Sequence, residues 1–205
     1  MLAKAAARAR FERAMALFDA ANAADPHCET ADGVTRPKEL LYAERMTAML
    51  ARFAPDAPEV VRLAARCQHI ERWKIPRDAY PADRIGYLQW RKRLNKFHGE
   101  VAGRLLREAG YDEGTISRVA RLLMKESLKS DPEAQTLEDV VDLVFLEHYL
   151  GDFVARHDGY ETDKFRDILA KTAKKMSPRG RAAALTQIGL PPGLAALVRD
   201  AMQPG

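Results

Sequence analysis

Residues 136–147 read TLEDVVDLVFLE, and their spacing sets the fold class. Leu137, Val140, Val141, Leu143, Val144 and Leu146 recur at intervals of three and four and leave little of the circumference polar, as in a helix enclosed by other helices. Thr136, just ahead of the run, is a helix-start residue. The same period extends outward to Ile116, Val119, Leu122 and Leu123 behind Thr115, to Val60, Val61, Leu63, Ala64 and Cys67, and to Leu41, Met46, Met49 and Leu50. Strand-type alternation is nearly absent. Breakers at Asp25-Pro26, Asp32-Gly33, Arg36-Pro37, Pro55 to Pro58, Pro76, Pro81, Gly110 and Asp131-Pro132 divide the chain into seven or eight expected helices. Pro37 with Lys38-Glu39 suits a helix first turn. The expected fold is all-α, a single-domain helical bundle over 1–205 with no sheet beyond a stray pair. Within it, 1–36 form an N-terminal helix and loop, 37–150 the core, and 151–205 a helical appendage opened by Ser177-Pro178-Arg179-Gly180 and Leu190-Pro191-Pro192-Gly193.

Composition agrees with a globular chain: 47% hydrophobic, 30% charged, net charge +4. No apolar run suits a membrane span. Two cysteines, Cys28 and Cys67, point to a reducing compartment, so a cytoplasmic location is expected. The opening MLAKAAARARFERAMALF carries Phe11, Met15 and Phe18 at helical spacing between acids, which favours a docked helix over a transit or signal peptide.

Four polar residues interrupt core-type helix faces: Glu44 in LLYAERMTAML, His69 in LAARCQHIERW, His98 in LNKFHGEVAGRLL and Asp139 in TLEDVVDLVFLE. Imidazoles and carboxylates projecting from several helices are how a bundle holds a divalent metal, here one of Mn, Fe, Zn or Ni. Each residue has a structural alternative. A lone His on an apolar face can be a hydrogen-bonded core residue, Glu44 can pair with Arg45 or Lys38, and Asp139 with Lys125 or Lys129. His27, His148 and His157 read as surface residues, and Cys67 as packing rather than a nucleophile.

The order of the four candidates resembles the His-Asp (HD) metal-dependent phosphohydrolases over roughly residues 40 to 147, making 37–150 an HD-like core. LAARCQHI resembles the run ending in the family's His-Asp pair, with Gln68 and His69 in those places. FHGEVAGRLL resembles its later His helix, and LEDVVDL its closing Asp motif, with Asp139 as ligand. Glu44 stands at the first His, and Lys125-Glu126 where another His is usual. The chain as a whole resembles a family of domains of unknown function (4202) built around CQHIERWKIPR, AYPADRIGYLQWR and LEDVVDLVFLE, which implies a fold and a pocket without naming a reaction.

A basic, aromatic segment is the second signal. Residues 66–96 hold nine Lys/Arg against Glu71, Asp78 and Asp83. Arg72, Trp73, Arg77, Tyr80, Arg84, Tyr87, Trp90 and Arg91 are the expected substrate-binding set, because guanidinium forks hold phosphate while aromatic faces stack on a planar group. The competing reading is that the aromatics anchor a core and the arginines brace an ordered loop, Arg72 to Tyr87. No phosphate-loop, dinucleotide or nucleophile-elbow motif occurs.

The leading functional reading is a metal-dependent hydrolase of a phosphorylated or nucleotide-like substrate. Lys125 with Arg77 or Arg91 would neutralise developing charge, and Glu138 would orient a ligand. The alternative is a non-catalytic module on the same scaffold, binding RNA, a nucleotide or a protein. A third reading, an HD-type iron oxygenase, follows from the superfamily likeness alone. The expected partner is an anionic small molecule or nucleotide, with RNA as the macromolecular option and no membrane.

Overall fold

The computed structural model describes residues 2–128, 130–155 and 162–202, with the side chains of 162–164 left aside. His157 and Lys129 lie outside the described residues. The chain forms two compact units, one of 1–47 with 58–127 and one of 48–57 with 128–205.

The first unit starts with α1 (Leu2–Ala23), followed by a hairpin of β1 (Cys28–Ala31) and β2 (Val34–Pro37). The strands pair antiparallel, with Cys28 opposite Pro37 and Ala31 opposite Val34. Asp32 and Gly33 make the turn, both with positive φ, as a two-residue hairpin twisted to match its strands requires. The hairpin leads directly into α2 (Lys38–Phe53), which continues into the second unit after Thr47. Then come α3 (Glu59–Arg66), two single 3-10 turns (Arg72–Lys74 and Arg77–Ala79), α4 (Arg84–Ala109) and α5 (Glu113–Leu123). Phe18, Val61, Leu63, Leu106, Val119, Leu122 and Leu123 form the centre of this core. Helices α4 and α5 approach closely because α4 presents Gly99 and Gly103. A Cβ at Gly103 would sit 3.2 Å from the Ile116 side chain.

The second unit holds the end of α2 and α6 (Pro132–Val144), a π turn (Phe145–Tyr149), α7 (Leu150–Ala155), α8 (Thr162–Lys175), α9 (Pro178–Thr186) and α10 (Pro192–Met202). Leu137, Val140, Leu143, Val144 and Leu146 are all buried, as the periodicity requires, and so are Glu138, Asp139 and Asp142. The ten α-helices among the described residues exceed the seven or eight expected, partly because Ser177-Pro178 opens a helix where the sequence suggested only a break. No helix of the described residues is long and apolar enough to cross a membrane.

Two helix starts differ from expectation for the same reason. Asp112, not Thr115, caps α5, its carboxylate accepting from the Thr115 amide at 2.9 Å. Asp131, not Thr136, caps α6, with Pro132 in its first turn. Aspartate is as strong a cap as serine or threonine, and proline costs nothing where the amide has no helical partner.

Helix α4 starts at Arg84, inside the segment read as loop, because Asp83 caps it and accepts from the Gly86 amide at 2.7 Å. A Cβ at Gly86 would lie 2.9 Å from the Pro81 carbonyl carbon and overlap its oxygen. Gly86→Ala ordinarily gains up to about 1 kcal/mol in a helix. Here the backbone clash reverses the sign, and we expect a loss of roughly 1–3 kcal/mol, measured by urea unfolding.

Candidate functional site

The site grows from the junction of hairpin and α2. The Asp25 carboxylate accepts from the His27 amide (2.9 Å) and the Glu39 amide (3.1 Å), fixing Glu39 in the first turn of α2. The Glu39 side chain is only 8% exposed. One turn on, Tyr42 stacks on the His69 ring with centroids 4.0 Å apart and planes 10° from parallel. His69 lies in the turn after α3, and its Nδ1 is 3.5 Å from Glu39 Oε2. Arg72 places a guanidinium nitrogen 3.3 Å from His69 Nε2. Guanidinium only donates, so Nε2 is the acceptor and Nδ1 carries the proton.

His98 faces His69 from α4, with ring centroids 5.9 Å apart. Its Nδ1 donates to the Ile70 carbonyl at 2.8 Å, which leaves a lone pair on Nε2. That atom is buried and accepts from no group among the described residues. Gln68, also buried, has an unpartnered Oε1. Four non-glycine residues of this unit have a positive φ that such residues rarely adopt, among them Glu71 (φ 51°) beside His69 and Lys125 (φ 58°).

Burial dominates the electrostatics. It holds His69 well below the ordinary imidazole value, assisted by the positive charges of Arg72, Lys125, Arg91 and Lys38. Burial and His69 push His98 down to about 3. Burial raises Glu39 to about 7 against the pull of Arg72 and Lys38. The result is a pair of neutral imidazoles and a carboxyl poised near neutrality within a field of cations.

The other candidates have defined partners. Glu44 pairs with Arg36 on the hairpin, rather than with Arg45, which pairs with Glu29, or Lys38. Asp139 belongs to the second unit. Its carboxylate accepts there from the Ser177 amide (2.8 Å) and hydroxyl (2.5 Å) and from Gln135 (3.1 Å), partners far down the chain or one turn back. Glu138 and Asp142 receive Lys175, at 3.3 and 2.8 Å. Arg77 donates to the carbonyls of Tyr80, Pro81 and Asp83, which makes it a brace for the loop. Trp90 is buried, donates to the Ile75 carbonyl and carries Arg72 on its face at 4.9 Å. Trp73 and Tyr80 are half-buried, Arg84 and Tyr87 exposed, and Arg91 lies 3.5 Å from the Tyr87 hydroxyl. Cys67 is buried with its thiol pushed well up by burial, in keeping with packing. His27 is exposed, and His148 is half-buried beside Glu147.

A family described as a domain of unknown function, DUF4202, matches residues 12–198. The chain belongs to this family. Neither a curated protein nor a solved structure matches it significantly. The DUF4202 span begins inside α1, ends inside α10 and contains Asp25, Glu39, His69, Arg72 and His98.

Glu39, Tyr42 and Asp25 were missed from sequence. Glu39 was legible as a first-turn acid but not as a site residue, although 39, 42, 43 and 46 form one buried stripe of α2. A charged residue on such a stripe was the signal.

These shifts predict a pH profile of stability. Unfolded imidazoles take up protons below about 6.5, whereas His69 and His98 stay neutral in the fold, so their contribution is present above 6.5 and lost as pH falls. Glu39 has the opposite sign: its contribution is present below 4.5 and lost as pH rises through about 7. Between these limits unfolding takes up two protons and releases one. Glu39→Gln removes the release, so the slope of unfolding free energy against pH should steepen by up to about 1.4 kcal/mol per pH unit relative to the parent protein. Urea titrations across pH 4.5–6.5 check this, and an unchanged slope refutes it.

Proposed function

We propose that this protein is a hydrolase of a phosphorylated, nucleotide-like small molecule, and that the phosphate seats against His98, His69 and Arg72. The observation that carries this reading is His98 Nε2, a buried lone pair without a partner. A buried acceptor left empty costs about 1–3 kcal/mol, so it favours a ligand that brings a donor. The cations acting on His69, namely Arg72, Lys125, Arg91 and Lys38, favour an anionic one. A protonated phosphate oxygen, or a water in line with phosphorus, satisfies both requirements.

In this reading Arg72 holds the phosphate, and Lys125 and Arg91 offset charge developing on it. Glu39 takes the proton of the attacking water as its oxygen bonds to phosphorus, then returns it to the leaving oxygen as that bond breaks. Its value of about 7 suits both directions of transfer. The resemblance of LAARCQHI and FHGEVAGRLL to His-Asp phosphohydrolases is compatible with hydrolysis. The expected metal fits this site poorly. Among the described residues no group of three His, Cys, Asp or Glu is placed to hold an ion. Of the four expected ligands, His98 alone keeps an open buried lone pair, while Glu44, His69 and Asp139 are engaged by Arg36, Arg72 and Ser177. No step is therefore routed through a metal.

The test is a panel of phosphomonoesters and nucleotides, assayed for release of phosphate and, by calorimetry, for binding. We expect Glu39→Gln to lower kcat by about 10²–10⁴-fold with little change in binding, and His98→Asn, whose amide nitrogen keeps a donor for the Ile70 carbonyl but not the Nε2 lone pair, to weaken binding itself. Binding without turnover across the panel supports the module reading instead. Absence of both ends the proposal.

A further inference from the structure

The N-terminal half of α4 has a second face that the pocket does not use. Gly86, Trp90, Leu94 and His98 point inward and are buried, so the opposite side of the helix meets solvent. Ile85 and Leu88, one turn apart, are 67% and 54% exposed there. They are two of the six large exposed apolar side chains among the described residues, and their spacing of three puts both on one side of the helix. Isolated exposed aliphatics are ordinary, but a cluster on one helical turn is not.

The charge around this cluster is of one sign. Between the cap Asp83 and Glu100, α4 carries Arg84, Arg91, Lys92, Arg93 and Lys96 and no acid. Arg93 and Lys96 are partly answered by Glu100, at 3.3 and 3.8 Å. Arg84 and Lys92, which border the aliphatic pair, meet no carboxylate among the described residues.

We propose that this face docks an acidic amphipathic helix of a partner protein. Leucine-type residues at its own three- and four-residue spacing would cover Ile85 and Leu88, and its flanking carboxylates would meet Arg84 and Lys92. Two features favour a peptide over RNA. Aliphatic side chains give bases nothing to stack on or pair with. The two rings of this stretch of α4 already have cationic neighbours: Arg77 and Arg91 each lie 5.9 Å from the Tyr87 ring centre, and Trp90 is buried beneath Arg72. The face is separate in its residues from the phosphate pocket, so the inference does not depend on the proposed reaction.

The experiment uses the full chain and a fluorescein-labelled synthetic peptide of about 14 residues, long enough for a few helical turns. The peptide repeats Glu-Leu-Leu-Glu so that its leucines share one face. A peptide of the same composition with the leucines spread around the axis, and a labelled oligouridylate, are run beside it. We expect saturable binding of the first peptide that weakens with added salt. Leu88→Asp and Lys92→Glu should each weaken it by roughly tenfold without lowering the melting temperature, because both side chains are exposed. Four results would overturn the proposal: no saturable binding, equal binding of the spread peptide, unchanged affinity in both variants, or tighter binding of oligouridylate. Sedimentation of the chain alone closes the remaining route. Self-association abolished by Leu88→Asp would assign the face to a second copy and refute the heterologous partner.

Discussion

The hydrogen bond from His98 Nδ1 to the Ile70 carbonyl organises the first unit. It ties the turn after α3 to the middle of α4, across 28 residues of sequence, at a buried point. The same bond decides the tautomer. Because a carbonyl can only accept, the proton must sit on Nδ1 and the lone pair on Nε2, so a structural contact also determines which ring nitrogen is left without a partner. The Glu71 amide, next along the chain, is held by Asn22 of α1 at 3.1 Å, and the left-handed backbone of Glu71 turns the chain towards Arg72 and Trp90. Removing the His98 bond would release the turn that carries His69.

Once the turn is fixed, its electrostatics follow from burial. Two imidazole rings with centroids 5.9 Å apart, largely buried and acted on by arginine and lysine, are both held neutral. A carboxylate beside them would be stabilised by those cations, yet desolvation outweighs them and lifts Glu39. The site therefore keeps positive charge on long side chains at its margin and neutral, polar groups at its centre. Arg72 Nε lies 3.9 Å from Glu39 Oε1, so Glu39 pairs with one of those cations whenever it ionises.

Much of the fold was legible because helical periodicity is a local property. The buried face of α6 follows from the positions of Leu137, Val140, Leu143 and Val144, and the pairing of His69 with His98 from two polar interruptions of apolar faces. What sequence left hidden was the identity of partners. Asp139 sits on a stripe as apolar as that of His98, and nothing local reveals that Ser177 would supply both an amide and a hydroxyl to it. Glu44 similarly finds Arg36 because the hairpin folds back beside α2. A buried carboxylate announces that it needs donors, not which donors, and long-range contacts are settled by topology rather than spacing.

The basic aromatic segment shows how one composition divides between two tasks. Arginine has five donors in a rigid plane and a face that stacks, so a single residue can brace a backbone or hold an anion. Arg77 spends its donors on three carbonyls within its own loop, and Trp90 spends its indole N–H on Ile75. These two, with the Asp83 cap, make the loop rigid. Arg72 is different: it rests on Trp90 with one face and reaches His69 with its nitrogen, so the stack positions it beside the imidazole. Bracing by Arg77 and Trp90 is therefore compatible with the proposed role of Arg72. A guanidinium on an exposed loop would lose side-chain entropy on gripping a phosphate, and the stack on Trp90 has already removed much of that freedom before any ligand arrives.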